Sequence, residues 1–248
     1  MMNTIINPKH KALTPLIEDI KTHFNASNEI LYNQRNIIKV ITFKNKKYVV
    51  KAFKVPNALN RFAYKYLRPS KAKRSYIYSL KIGKELTPAP IAYIEETKNG
   101  LLAESYYISE FFDYDHTIHE VLINKSIDDR KEILKAFAQF TFDIHNKNIL
   151  HHDYSHGNIL IKRTTSGEHN YLIKIIDTNR MSFKNPSVKE RLANFARIKA
   201  DDNDMKTIIT QYAKNMALPA DKLLEDAKFY RDDFYKKRAL KNKLRGKK

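Results

Sequence analysis

HHDYSHGNILIKR at residues 151–163, a polar turn, and then YLIKIID at 171–177 form the stretch whose reading decides the fold. In spacing it is His151-x-Asp153, four residues, Asn158, a β-hairpin, and a second carboxylate, Asp177. Each residue type has a chemical reason to stand there. In phosphoryl transfer one carboxylate orients or accepts the proton of the attacking hydroxyl, while an amide oxygen and a second carboxylate supply hard ligands to magnesium. Asn158 leads into the apolar run Ile159–Ile161, and Asp177 follows Leu172–Ile176. A hairpin closed by TTSGEHN at 164–170 would return both oxygens to one end. Three histidines, His151, His152 and His156, allow a metal-ligand alternative, but a fourth ligand is missing from the pattern.

The chain before this stretch reads as a strong helix over 128–146. Asp128 is its candidate cap, and Ile133, Phe137, Phe140 and Ile144 form a core stripe at helical spacing. Further upstream the pattern is extended: Ile30–Tyr32, Ile37–Phe43 and Tyr48–Phe53, the last two separated by KNKK at 44–47. In the third run Lys51 shares a strand face with Val49 and Phe53, an unusual place for a lysine although an edge strand would also accept one. Residues 57–85 read as helical and basic, including RPSKAKR at 68–74. TPAP at 87–90 then breaks the helix ahead of strands at Ile91–Ile94 and Ser105–Phe112. Residues 1–25 carry a basic lead-in and an amphipathic piece around 13–24. From Pro186 onward the chain reads as helical, with Leu192, Phe195, Ile198, Ile208 and Tyr212 inward. Strands first and helices second predict an α+β chain of two lobes, 1–110 and 111–248, hinged near 110–115.

Composition narrows the function. With no Cys among 248 residues, a disulfide framework, a thiolate zinc site and a cysteine nucleophile are excluded. No apolar run approaches the roughly 20 residues of a membrane span, and the start has no signal-peptide pattern, so a soluble cytoplasmic chain is expected. The net charge of +19 points to anionic partners. It is concentrated in places: the last 13 residues, KKRALKNKLRGKK, hold eight Lys or Arg and no acid.

HHDYSHGN resembles the H-x-D-x-x-x-x-N catalytic loop of protein-kinase-like enzymes, in particular the H-G-D-x-x-x-G-N form of small-molecule kinases. IIDTNR at 175–180 stands where that fold places its magnesium-binding motif, and YVVKAFK at 48–54 where it places the nucleotide lysine. The resemblance spans about residues 30 to 180. It implies that Asp153 is the catalytic base, that His151 braces the loop, and that Asn158 and Asp177 hold magnesium. Lys51 would contact the phosphates of ATP, and SEFFDYD at 109–115 would be the hinge, with Glu110 and Phe112 meeting the adenine through their backbone.

Within that superfamily, SKAKRSY at 70–76, LTPAPIAYIE at 86–95, SYYISEF at 105–111 and DTNR at 177–180 are similar to bacterial lipopolysaccharide core kinases. That family phosphorylates Kdo or heptose. The implied partners are a lipid-linked sugar acceptor and the anionic inner face of the cytoplasmic membrane, where RPSKAKR and the basic tail would hold a peripheral enzyme.

Two departures stand out. The turn Asn33–Asn36 has no Gly, and Ile77 stands where the Glu that partners the nucleotide lysine is expected, so either Lys51 has another partner or the nucleotide site is altered. An inactive pseudokinase is the alternative that these departures raise. A protein kinase is a second alternative, but no A-P-E-like anchor follows Asp177. Antibiotic-type or choline-type phosphotransferases keep the loop but carry acidic sites. A basic nucleic-acid module, reading 61–78 as phosphate contacts and stacking aromatics, would leave the catalytic pattern as coincidence.

Overall fold

The computed structural model describes residues 1–164 and 170–244. Residues 165–169 of the expected hairpin turn and 245–248 of the basic tail lie outside them. The chain divides into two compact units, one of residues 1–113 with 177–179, the other of 114–176 with 180–248.

The first unit is built on one antiparallel sheet. Its elements are β1 (Met2–Ile6), α1 (Thr14–Glu18), α2 (Ile20–Ala26), β2 (Ile30–Asn33), β3 (Ile37–Phe43), β4 (Lys46–Phe53), α3 (Ala58–Tyr66), α4 (Lys71–Ile82), β5 (Pro90–Lys98) and β6 (Leu101–Glu110). The strand order is β1-β5-β6-β4-β3-β2. Two-residue turns set its register. Lys44 and Asn45, both at positive φ, join β3 to β4, so the turn is two residues rather than four and Lys46 already pairs with Phe43. Asn99 and Gly100, also at positive φ, join β5 to β6. An Asn-Gly pair is a strong hairpin signal, because neither residue resists the left-handed conformation.

The sheet is covered on both faces. Leu16, Ile17, Ile20 and Phe24 of α1 and α2 pack with Val50, Ile91, Ile94 and Ile108. Ala72 and Tyr76 of α4 pack with Phe53 and Tyr93. Full burial of each large apolar side chain contributes about 1.5–3 kcal/mol.

Two expectations need correction here. Residues 2–6 are not merely a basic lead-in but an edge strand, Met2 opposite Glu96 through Ile6 opposite Ala92. The region 57–85 is not one helix but two. Pro69 cannot donate a helical hydrogen bond, and Ser70 caps α4 by accepting from Lys73 N–H (3.1 Å).

The second unit contains β7 (His116–Thr117), α5 (Ile118–Ile123), α6 (Arg130–Asn146), β8 (Ile149–His151), β9 (Ile159–Arg163), β10 (Tyr171–Ile175), β11 (Met181–Phe183), α7 (Val188–Asn194), α8 (Asp202–Met216) and α9 (Ala220–Leu244). Helices supply its core. Ile133, Phe137 and Ile144 of α6 are fully buried with Ile208 and Tyr212 of α8, and with Phe195 from a short 3-10 turn after α7. Phe140 departs from the expected stripe and is only half-buried, the buried face turning instead through Leu134, Ala138 and Thr141.

Asp128 does not cap α6. Asp129 holds the cap position, and its carboxylate serves tertiary structure instead, accepting from Arg163 Nη2 (2.6 Å), Arg163 Nε (2.8 Å) and the Tyr171 hydroxyl (2.9 Å). Those contacts fasten the β9–β10 hairpin to the start of α6, and the Arg163 guanidinium foremost lowers the Asp129 pKa to about 2.

Candidate active site

The loop that leaves β8 is held from below by aromatic packing and a buried hydrogen-bond relay. Tyr154 is fully buried, stacks on Phe137 (5.8 Å) and shares a hydrogen bond with the Thr141 hydroxyl (2.8 Å). His151, also fully buried, carries the loop from the inside. Its Nε2 faces the Ile176 carbonyl (3.1 Å), so that nitrogen bears the proton, and its Nδ1 accepts from the Asp153 N–H (3.0 Å). His151 thus holds the backbone of Asp153.

The His151 carbonyl accepts from Asn194 Nδ2 (2.9 Å), and Asn194 Oδ1 faces His145 Nε2 (3.1 Å). His145 Nδ1 in turn accepts from the Tyr212 hydroxyl (2.7 Å). Three helices, α6, α7 and α8, therefore converge on one backbone carbonyl of the loop. Burial foremost, with the positive charge of Arg191, lowers the His145 pKa to about 4, which keeps the ring neutral as this relay requires.

Asn158 closes the loop. Its Nδ2 donates to the Asp153 carbonyl (2.9 Å) and its N–H to the Ser155 carbonyl (2.9 Å). The amide orientation follows from that first bond, because only nitrogen can donate to a carbonyl; the oxygen is left as the group on offer. The Ile176 N–H returns to the Asn158 carbonyl (2.9 Å), which ends the β9–β10 ladder one residue before Asp177.

The Asp153 carboxylate meets two guanidinium groups. Arg197 Nη1 donates to Oδ1 (2.9 Å) and Arg180 Nη1 reaches Oδ2 (3.4 Å). Arg197 lies on the 3-10 turn after α7 and stacks on the Phe234 ring of α9 (5.0 Å). The three charged side chains remain partly open, Asp153 at 26%, Arg197 at 37% and Arg180 at 47%. Sequence reading missed both arginines. Arg180 stands inside the DTNR motif, but nothing in the spacing links position 197 to 153.

In the first unit, Lys51 of β4 is buried, and its Nζ donates to Asp177 Oδ1 (2.6 Å) while lying over the Phe53 ring (5.2 Å). This is the partner that the absent helix glutamate left open. Asp177 sits at φ 58°, a left-handed conformation that Asp tolerates better than most residues, and Asn179 Nδ2 donates to the same oxygen. Thr178 anchors the segment through a chain of hydroxyls. Tyr107 donates to Ser79 Oγ (3.0 Å), Ser79 and Thr178 share a hydrogen bond (2.9 Å), and Thr178 donates to the Ser75 carbonyl (3.1 Å). Small residues at 75 and 79 of α4 make room for it, and Ile77 points to solvent at 40% exposure.

The Glu110 N–H is spent on the Ala89 carbonyl (3.0 Å), and the Phe111 N–H reaches the Lys47 carbonyl (3.3 Å). A donor for adenine is therefore not available at 110 or 111. Phe112 follows β6 in the connection and is half-buried. Among the described residues no group of three or more His, Cys, Asp or Glu is placed to hold a metal ion. His152 bonds Ser182 Oγ (3.0 Å) and His156 stacks on His119 (4.1 Å), so the histidine-metal alternative finds no cluster.

No family model and no curated protein matches the sequence. Solved structures do match. The protein described as WaaP in complex with acyl carrier protein aligns with a TM-score of 0.57 at 15% identity, covering 95% of this chain and 97% of that one. The fold is protein-kinase-like. The Rio2 kinase–ADP/Mg2+–phosphoaspartate complex from Chaetomium thermophilum aligns at 0.46 and 16% identity, over 85% of this chain and 64% of that one. The maize SIRK1 kinase domain bound to AMP-PNP aligns at 0.47 and 15%, over 77% and 71%. An antiparallel β-sheet unit followed by a mainly helical one is the α+β architecture expected from the order of sequence patterns.

Proposed function

We propose that this kinase-like chain is an ATP- and magnesium-dependent phosphotransferase that phosphorylates a sugar hydroxyl of the lipopolysaccharide inner core, such as one on Kdo or heptose. The observation that carries the reading is Asp153. It is a carboxylate on a loop whose backbone is held by His151 and Asn158, placed beside two arginines and still open to solvent. A general base needs this combination of fixed position and access.

In this reading Asp153 orients the acceptor hydroxyl and takes its proton. The Asn158 amide oxygen and Asp177 hold magnesium, and Lys51 meets the nucleotide phosphates. The donor set suits magnesium, which takes one or two protein oxygens and completes its shell with phosphate and water. The bound ion would supply charge neutralisation on the phosphates. Adenine would rest against the backbone at 109–115, with Glu110 contributing its carbonyl side and Phe112 its backbone.

Arg180 and Arg197 favour an acceptor that itself carries a negative charge. Guanidinium groups bind carboxylate or phosphate in planar, charge-assisted geometry, and both remain partly exposed beside the base. A carboxylated or phosphorylated core sugar meets that requirement, and it fits the net charge of +19. No helix among the described residues is long and apolar enough to cross a membrane. A lipid-linked acceptor would then be reached by peripheral attachment to the inner face of the cytoplasmic membrane, with the basic tail from Lys236 as one contact.

The test is ATP turnover with magnesium and deacylated Kdo-containing lipopolysaccharide fragments, with mass analysis of the product. One added phosphate on the sugar, absent with Asp153→Asn, is the expected result. Magnesium-dependent ATP binding without transfer to any core fragment would overturn the acceptor assignment and keep the nucleotide site. No nucleotide binding would overturn both.

A further inference from the structure

Helix α3 turns an apolar stripe outward. A helix lying on a sheet ordinarily turns its apolar stripe inward. Here none of its residues is buried. Leu59, Phe62 and Tyr66 share one face at spacings of three and four, and they are exposed at 82%, 56% and 60%. Leu67, just past its end, is exposed at 75%, and Val55 before it at 49%. The half-buried side of the helix is mixed, with Asn60, Arg61, Ala63 and Tyr64, and from it Arg61 Nε donates to the Leu102 carbonyl of β6 (2.9 Å). Asn57 caps the helix, accepting from Asn60 N–H (3.1 Å), so the element is locally well formed and not a frayed end.

The surroundings of the stripe are basic and lack acids. From Lys54 to Lys73 the sequence holds Lys54, Arg61, Lys65, Arg68, Lys71 and Lys73 and no Asp or Glu. The stems are kept beside the aromatic rings, Lys65 Nζ over Tyr66 (5.0 Å) and the Arg68 guanidinium over Tyr64 (5.2 Å). Such a contiguous apolar patch on a charged surface marks an interaction site rather than ordinary exposed side chains. An outward Leu-Phe-Tyr stripe with Lys and Arg on its flanks is the composition of a helix that lies in a membrane interface.

We infer that α3 is a membrane-docking element, whose Leu59, Phe62, Tyr66 and Leu67 side chains enter the headgroup–acyl boundary of an anionic leaflet while the flanking cations meet lipid phosphates. It deepens the membrane attachment in the functional reading above and assigns it to a different element from the basic tail. Charge complementarity decides the occupant. An acid-free, six-cation segment repels a second copy of itself at close range, and an anionic surface is attracted to it.

The experiment uses the full-length protein without ATP or acceptor, so its outcome is independent of catalysis. The chain has no Trp, so Phe62→Trp introduces a single reporter. On vesicles of equimolar phosphatidylglycerol and phosphatidylethanolamine its emission should shift to the blue and be quenched by lipids brominated in the acyl chain. Vesicles of phosphatidylcholine alone should give neither. The double variant Leu59→Ser with Phe62→Ser should bind the anionic vesicles about tenfold more weakly, with an unchanged melting temperature because both side chains are already in water. Removing 236–248 should leave the quenching in place. Absence of quenching, or equal binding by the double variant, would overturn the proposal. So would a wild-type dimer in sedimentation velocity that the double variant abolishes while vesicle binding stays the same, since the face would then belong to a second copy.

Discussion

Asp177 and Asp153 are both carboxylates facing cations, and their settings differ in how much of the fold depends on each. Asp177 meets a lysine that is only 10% exposed, at 2.6 Å, and holds a left-handed backbone under a chain of hydroxyls. Asp153 meets two arginines that reach it from partly open positions, at 2.9 and 3.4 Å. A buried cation that loses its partner cannot be rehydrated cheaply, whereas an exposed one turns to water. The first carboxylate is therefore tied into the stability of its unit, and the second can be exchanged with little structural cost.

The largest effect tests the second half of that contrast. Asp153→Asn should lower phosphotransfer by about a thousandfold, the scale of a lost general base, while its thermal midpoint changes little. Wild-type turnover in that variant would remove Asp153 from the chemistry. Asp177→Ala tests the first half. It leaves Lys51 buried without its anion and should cost about 3 kcal/mol in denaturant unfolding, whereas Lys51→Met, which removes the buried charge itself, should cost much less. Equal costs for the two would show that burial of the lysine is not the governing term.

Acid should then act on the base of the loop through His145. Its pKa is about 6.5 in an unfolded chain and about 4 in the fold, where it faces Tyr212, Asn194 and the charge of Arg191. Between those values the unfolded chain binds a proton that the native ring refuses. Stability from this group is therefore complete above about pH 6.5 and is lost as pH falls toward 4, by up to about 3 kcal/mol. His145→Gln should be less stable than wild type at pH 7, and the gap should narrow by pH 4.5; a gap that stays constant would exclude His145 as the cause. The smallest effect belongs to Arg197→Gln. It should raise KM for an anionic acceptor about tenfold and leave KM for ATP unchanged, as loss of one charge-assisted contact predicts. A fall in kcat alone would place Arg197 in the chemical step instead.

Legibility in the sequence followed the range of the interactions. The loop HHDYSHGN and the strand–turn–strand pattern after it are local, so Asp153, His151 and Asn158 could be proposed from spacing, and the structure brings their backbones together in one loop. The stripe of α6 was legible except at Phe140, where helix–helix packing shifts the buried face. The cap of α6 misled because Asp129 is recruited by Arg163 and Tyr171, partners 34 and 42 residues away. The edge strand at 2–6 was missed for a related reason, since its pairing partner lies about 90 residues on and its own burial is slight. In α3 the sequence showed only a basic helical stretch, and the fold revealed that Leu59, Phe62 and Tyr66 face out.

What the sequence by itself determined is whatever is encoded within one turn, one hairpin or one helix: the α+β order, the residues of the loop 151–158, the positive charge and the absence of cysteine. The tertiary structure alone decided that Asp177 is the partner of Lys51, that Arg180 and Arg197 flank Asp153, and that three helices converge through His145 and Asn194 on the loop. These contacts join residues 27 to 126 positions apart. Nothing in local propensity selects such pairs; they form because the packing of the cores brings charged and polar groups to points where each must find a partner out of reach of water.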